Sequence, residues 1–348
     1  MNHIERHLIF HKDSVSSALE RLDILASDAN LFLVDEANKL IGSLTDGDIR
    51  RGLMKGFTLD MPVSGFAKME PKYFRKGDVN LSNIKQWREK GIKIIPIVNE
   101  RHEIIDVINF GRQVSCLPME AVIMAGGLGT RLLPLTENTP KPLLLVGGKP
   151  IIEYNIDHLL KYGISKIHIS IKYLGHQIVE KFGDGALKNA SIQYVFEDKP
   201  LGTIGAVSRI QDIRNEFILV MNSDLLTNID LEDMFLTLYS QDADMIVATT
   251  PYHVKVPFGI IESEEGVIKE VKEKPTFTYY SNAGIYMFRK DVLSHIPDNT
   301  LFNATDLMSV LLQNGKKVLQ FPILGYWLDI GRHEDFAKAQ LDIHHIKF

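Results

Sequence analysis

From Ala121 onward, short apolar runs alternate with longer segments of helical spacing, and few folds accept that alternation. The runs Ala121–Met124, Ile167–Ile171, Ile192–Phe196, Phe217–Met221 and Met245–Thr249 have the length of buried strands. Between them, Ile151–Tyr162, Gly175–Phe182 and Gly205–Ile210 read as helices. Strands apolar on both faces and separated by helices predict an α/β fold, a mixed, mostly parallel sheet covered on both sides. Ligands in such sheets sit at the carboxyl ends of the strands. The residues that follow each apolar run are therefore the first candidates for chemistry.

The first run ends in the most informative stretch. Ala125 is followed by Gly126, Gly127 and Gly129, then by Thr130 and Arg131, while Lys141 stands between Pro140 and Pro142. Glycines let the backbone turn tightly and bring bare N–H groups to an anion. Arg131 offers a fixed fork for phosphate oxygens and Lys141 a mobile point charge. The spacing is not Gly-x-Gly-x-x-Gly, and no Gly-Lys-Ser/Thr closes the loop as in a Walker A motif. A bare strand-to-helix turn would explain the glycines but not Arg131 and Lys141 together. Asp224 follows the run Phe217–Met221, and Asp329 lies beyond Gly325, Tyr326 and Trp327. Two hard carboxylates so far apart in sequence, if they converge, suit Mg²⁺. Taken singly, each is more often a surface or capping acid. The histidines show no metal-ligand spacing and receive no role.

The first third is organised differently, as two copies of one small α+β unit. Val15–Leu25 has helical spacing with Ser14 or Asp13 as cap, Leu31–Val34 and Leu40–Leu44 are short strands, and Asp46 opens a helix. A helix around Leu81–Lys90 and strands Ile94–Val98 and Ile104–Ile108 repeat the order. Units of this size must pack on each other to bury a core. The stretch Gly111–Pro118 reads as a linker, so the expected division is 1–118 and 119–348.

Composition bounds the partners. The 348 residues carry a net charge of −5, with the first 118 residues at +1 and the remainder at −6. Neither part has the basic excess that nucleic-acid binding requires. A phosphorylated ligand must be held by a local loop. The single Cys116 excludes an intrachain disulfide and a Cys-rich metal site. No apolar run reaches the ~18 residues of a membrane span, and the start lacks a secretory signal. The expectation is a soluble cytoplasmic protein.

Several motifs together carry a resemblance. Gly126 to Leu132 with Pro140 to Leu144, then Pro200 to Thr203, Asn222 to Asp224, Phe258-Gly259, Glu273 to Pro275, Asn282 to Gly284 and Trp327 to Gly331 follow in order. This set resembles the sugar-1-phosphate nucleotidylyltransferases over nearly all of 119–348, and looks most like the mannose-1-phosphate guanylyltransferase branch. The resemblance implies a Rossmann-like domain that joins a nucleoside triphosphate and a sugar 1-phosphate into an NDP-sugar and pyrophosphate. It implies nucleotide contacts from Ala125, Gly126, Gly127, Gly129, Thr130, Arg131, Lys141, Glu197 and Gly202. It further implies catalytic roles for Arg131, Lys141 and Lys274, Mg²⁺ on Asp224 and Asp329, and sugar-phosphate contacts from Gly259, Glu273, Lys274 and Asn282. The run Lys269–Lys274 also alternates in sign like an exposed strand edge.

Glu197 stands five residues before Gly202, where relatives that use thymidine or uridine triphosphates tend to place a Gln. A carboxylate only accepts hydrogen bonds. It suits guanine, whose N1–H and 2-amino group are adjacent donors, and opposes the carbonyls of uracil and thymine. GTP is the expected donor, with uridylyl, thymidylyl or cytidylyl transfer as the alternative. The bland reading is that Glu197 and Asp198 end a strand at the surface. A non-catalytic regulatory relative would be expected to lack part of the charged set, all of which is present.

The N-terminal repeat resembles a CBS pair, a module that often binds adenine nucleotides and assembles subunits. Thr45 and Asp48 have the spacing of its ribose-phosphate motif, though both also suit a helix cap. The second copy, Ile104 to Asn109, carries no matching pair. A CBS pair ahead of such a domain is similar to bacterial guanylyltransferases of amino-sugar and nonulosonate pathways. It implies a homo-oligomer.

Overall fold

A computed structural model describes residues 4–76 and 81–346. The chain divides into two compact units, Met1–Cys116 and Leu117–Phe348.

The first unit holds β1 (Leu8–Phe10), α1 (Val15–Leu25), β2 (Leu31–Val34), β3 (Leu40–Leu44), α2 (Asp46–Met54), β4 (Phe74–Arg75), α3 (Leu81–Glu89), β5 (Ile94–Val98) and β6 (Ile104–Asn109). Ser14 caps α1 by accepting from Ser17 N at 3.3 Å. Val15, Ala18, Leu22 and Leu25 form the helix's buried stripe. The two halves share one pattern. β1 runs parallel to β2 and β2 antiparallel to β3. β4 likewise runs parallel to β5 and β5 antiparallel to β6. The leading strand of each half is only two or three residues long, too short for periodicity to reveal. Phe32, Val34 and Leu40 of the first half pack with Ile94, Val98, Ile104 and Val107 of the second.

The second unit begins with β7 (Met119–Ala125), followed by the small hairpin β8 (Leu145–Val146) and β9 (Lys149–Pro150), then α4 (Ile151–Lys161), β10 (Lys166–Ile171), α5 (Gly175–Phe182), β11 (Ser191–Phe196) and β12 (Phe217–Asn222). After β13 (Leu225–Thr227) and α6 (Leu231–Ser240) come β14 (Met245–Lys255), β15 (Ile260–Glu264), β16 (Val267–Lys272) and β17 (Thr276–Arg289). α7 (Ala304–Gln313), β18 (Val318–Pro322), β19 (Trp327–Asp329) and α8 (His333–Asp342) complete it. The main sheet has the order β11-β10-β7-β12-β17-β14-β18. It is mixed and mostly parallel, as the alternation predicts; only β17 runs against its neighbours. Gly205–Arg209 forms a 3₁₀ turn instead of an α-helix.

The sequence does not announce how far β14 and β17 extend. Met245–Thr249 of β14 is buried in the sheet, but Pro251–Lys255 is exposed. The distal half of β17 and the hairpin β15–β16 are mostly exposed too, giving the unit a projecting β-arm. No helix among the described residues is long and apolar enough to cross a membrane.

Candidate active site

The carboxyl ends of β7, β10, β11 and β12 surround a cavity of about 520 Å³. Gly126, Gly127, Gly129, Thr130 and Arg131 line one wall, with Lys141, Glu197, Gly202, Asp224 and Asp329 on the others. Ala125 is the last, buried residue of β7 and holds the loop without lining the cavity. At Gly129 φ is +66°, and an added Cβ would lie 2.9 Å from Thr136 Cγ2. The Thr136 hydroxyl donates to Gly129 O at 2.8 Å, which fixes the turn.

Two elements bring the distant acids together. β13 and β19 pair antiparallel with Leu225 opposite Asp329, and Ile330 N donates to Asp224 O at 3.0 Å. Asn155 Nδ2 donates to Ser223 O at 3.1 Å and steadies the turn that carries Asp224. Trp327 Nε1 donates to Ala283 O at 2.9 Å, anchoring β19 as a packing residue does. Lys141 Nζ donates to Asp224 Oδ2 and lies 3.9 Å from Asp329 Oδ1. The Arg131 guanidinium lies beside Gly331, whose Cβ, if present, would be 3.6 Å from Nη1.

Burial, and then the neighbouring Asp224 charge, push the Asp329 carboxyl up to about 6, although Lys141 and Arg131 pull the other way. The Oδ1 atoms of both acids are buried without a hydrogen-bond partner among the described residues. Two hard, unsatisfied oxygens in mutual repulsion could hold Mg²⁺, which takes one or two carboxylates and fills its shell with water and phosphate. Among the described residues no cluster of three or more His, Cys, Asp or Glu could hold a metal by itself.

Glu197 is not a surface acid. Its side chain is buried; Oε1 accepts from the Ser170 hydroxyl and Oε2 from Leu201 N at 3.2 Å. A Cβ on Gly126 would fall 2.5 Å from Oε1, so this glycine admits the carboxylate. Asp198 is the exposed member of the pair and binds Arg209 at 2.9 Å. Gly202 has φ +78°, and a Cβ there would strike Phe302 O at 2.5 Å.

The residues that the resemblance links to the sugar phosphate lie elsewhere. Gly259, Glu273, Lys274 and Asn282 are absent from the cavity wall and belong to the β-arm. Gly259 and Glu273 face each other, since a Cβ on Gly259 would sit 3.0 Å from Glu273 Oε2. Lys274 takes a positive φ of +43° between β16 and β17. Lys272 pairs with Glu262 at 2.7 Å and Glu270 at 3.0 Å, so that stretch is a solvated strand. Asn282 stands at the arm's root, and its Oδ1 accepts from Gly284 N at 3.0 Å. One polar wall residue, Lys172, first after β10, lies outside every motif, and Asn222, last of β12, lies inside one but receives no role there. Their positions at strand ends were the available signal.

In the first unit, Thr45 and Asp48 form a reciprocal cap on α2. Thr45 N donates to Asp48 Oδ2 at 2.9 Å, Asp48 N to Thr45 Oγ1 at 3.3 Å, and Arg51 to Asp48 Oδ1 at 2.5 Å. Thr45 also borders a cavity of about 400 Å³ walled by Asn30, Lys68, Lys72 and Lys93.

A family model described as nucleotidyl transferase matches residues 120–346. The mannose-1-phosphate guanylyltransferase of Mycobacterium tuberculosis is 30% identical over 233 residues, covering 65% of this chain and 64% of the relative's length. The D-glycero-alpha-D-manno-heptose 1-phosphate guanylyltransferase of Aneurinibacillus thermoaerophilus is 31% identical over 234 residues, covering 65% of this chain and 99% of that protein. The crystal structure of a Bacillus anthracis protein assigned as a glucose-1-phosphate thymidylyltransferase, in complex with sucrose, superposes with a TM-score of 0.54 at 26% identity. That match covers 66% of this chain and 97% of the other.

Proposed function

The chain belongs to the nucleotidyl transferase family, and we propose that it transfers GMP from GTP to a sugar 1-phosphate, releasing pyrophosphate. A phosphate oxygen of the sugar 1-phosphate attacks the α-phosphorus; the new P–O bond forms as the bond to the β-phosphate's bridging oxygen breaks. No protein nucleophile is required, so catalysis is positioning and charge stabilisation. The observation that carries this reading is the convergence of Arg131, Lys141, Asp224 and Asp329 on one cavity at the strand ends.

The Gly126–Gly129 backbone seats the triphosphate. Arg131 neutralises the departing β,γ-phosphates, and Lys141 the charge that builds at the α-phosphate. Asp224 and Asp329 would hold Mg²⁺, which supplies Lewis acidity and a template between the two substrates. Lys274, Glu273, Gly259 and Asn282 would receive the sugar phosphate from the arm. Glu197 favours guanine because its two oxygens, each already accepting one protein donor, retain lone pairs for adjacent base donors. The expected setting is nucleotide-sugar supply for surface-glycan or nonulosonate synthesis in the cytoplasm. The first unit would act as a CBS pair that regulates or assembles the enzyme as a homo-oligomer. The cavity beside Thr45, walled by Lys68, Lys72 and Lys93 and by Glu70, offers charge for a phosphate, and the adenine nucleotide there is what the resemblance implies.

A matrix of nucleoside triphosphates against sugar 1-phosphates, scored by pyrophosphate release, tests the proposal. Release with GTP and a sugar 1-phosphate is the expected result. A preference for UTP, dTTP or CTP would leave the reaction standing and remove the guanine assignment. Calorimetry with AMP and ATP tests the first unit; absence of heat leaves it only an assembly role.

A further inference from the structure

We infer that Lys172 reads the 6-keto oxygen of the base and, paired with Glu197, makes the site select guanine over bases with an amino group at that position. The inference rests on the guanine reading above and adds to it the residue that completes the pattern.

The placement comes from the sheet. β10 lies between β7 and β11, with Ile171 opposite both Ala125 and Phe196. The next residue along each strand is Lys172, Gly126 and Glu197 respectively, and all three line the cavity. Glu197 N donates to Ile171 O at 2.9 Å, which fixes the two side chains at adjacent strand ends. Asp224 and Asp329 lie on the other side of β7, beyond β12 and on β19. The cavity therefore has a carboxylate–lysine end and a metal–phosphate end, separated by the glycine loop.

The chemistry follows from hydrogen-bond inventories. Along one edge guanine presents the O6 acceptor, the N1–H donor and the 2-amino donor. Glu197 accepts only and Lys172 donates only. A carboxylate set against N1–H and the 2-amino group leaves O6 for the neighbouring ammonium. Lys172 is half-buried and makes no ion pair among the described residues, so its donors remain uncommitted. Adenine turns both contacts repulsive, since its 6-amino group would face the ammonium and its unprotonated N1 the carboxylate. Leaving buried polar groups unpaired is the strongest way a site rejects an analogue.

Calorimetric titration of the full chain with three nucleotides in Mg²⁺ tests the assignment. GTP carries all three groups, and ITP lacks only the 2-amino group. 2,6-Diaminopurine riboside triphosphate keeps the 2-amino group but exchanges the 6-keto oxygen for an amino group and, with it, loses the N1 hydrogen. Any heat from the first unit is common to every variant and subtracts out. Lys172→Met should weaken GTP and ITP together by about tenfold or more. It should bind the diaminopurine nucleotide at least as tightly as the wild type does, and Lys172→Arg should retain the keto preference. Glu197→Gln should narrow the GTP-to-ITP ratio and also part of the keto-to-amino ratio, because its amide can donate to the unprotonated N1 of diaminopurine. Equal weakening of all three nucleotides by Lys172→Met would assign the ammonium to the phosphates and overturn the proposal. So would an unchanged keto-to-amino ratio. A wild-type protein that binds UTP more tightly than GTP overturns the underlying guanine reading instead, a separate result.

Discussion

The floor of the cavity and the long strands of the β-arm, β14 and β17, are parts of one sheet, yet they are built by opposite means. At the floor, β7, β10 and β12 are buried almost throughout, and their ends hold charged groups against one another at short range. Along the arm, β14 and β17 leave the core, and their outer residues, with β15 and β16, stand mostly exposed. Groups that must stabilise charge gain from a rigid, low-dielectric setting. A surface that reads sugar hydroxyls tolerates, and can use, elements with few buried contacts. On the proposed assignment, the division of labour would be a division of packing.

Removing charge at the floor is the sharpest way to break this picture. Asp224→Asn and Asp329→Asn should each lower turnover by about 10³-fold or more, since an amide lacks the charge that binds a hard cation. Near-UV circular dichroism should remain that of the wild type. Either variant within a few-fold of wild-type turnover at ordinary Mg²⁺ would remove the cation site.

The packed part of the unit should also carry a pH dependence, through the buried His158. His158 of α4 is buried, with Nε2–H donating to Ile229 O at 2.9 Å. Burial holds its pKa down at about 4, against 6.5 for a free ring. Unfolding frees the ring to bind a proton, so its contribution is complete above about pH 6.5 and is lost as pH falls towards 4. The loss should be about 3 kcal/mol in that window. Urea titrations at pH 7 and pH 4.5 of wild type and His158→Gln measure it. Equal pH slopes in the two proteins would show that the ring titrates freely when folded.

Much of the floor was legible in the sequence because its signals are local. The glycines, Arg131 and Lys141 lie within sixteen residues of one another, and apolar runs of strand length fixed the parallel sheet. The meeting of Asp224 and Asp329 was not local; it depends on β13 pairing with β19 across a hundred residues. Lys172 was overlooked because a single lysine after a strand carries no motif. The arm was opaque for another reason. Exposed strands such as Val267–Lys272 have no buried face to impose a readable alternation, and their charges pair along the surface. The residues assigned there to the sugar come from resemblance alone, and none of them lines the cavity, although Asn282 is two residues from Gly284, which packs against the wall residue Asn222.

That separation yields a kinetic test of the two regions. Lys274→Ala should raise the KM for the sugar 1-phosphate by about 10- to 100-fold, the loss of one charge-assisted hydrogen bond. Nucleotide affinity, read by calorimetry with GTP, should stay within about twofold. An equal loss for both substrates would place Lys274 on the nucleotide and merge the regions.

The smallest expected effect is the most direct probe of packing, because one strand supplies both arms of the experiment. β14 carries Val247, 5% exposed in the sheet, and Val254, 37% exposed on the arm. Valine and threonine are nearly the same shape and both favour strands, so exchange alters polarity and little else. At Val247 the hydroxyl enters the cluster that contains Val220, Tyr286 and Phe288, where an unpaired polar group costs about 1–3 kcal/mol. At Val254 water reaches the hydroxyl, and the change should stay within about 0.5 kcal/mol. Urea unfolding of Val247→Thr and Val254→Thr gives the two values on one backbone. A cost at Val254 as large as that at Val247 would mean that the outer arm is covered in solution, and the contrast between a packed floor and an open arm would fail.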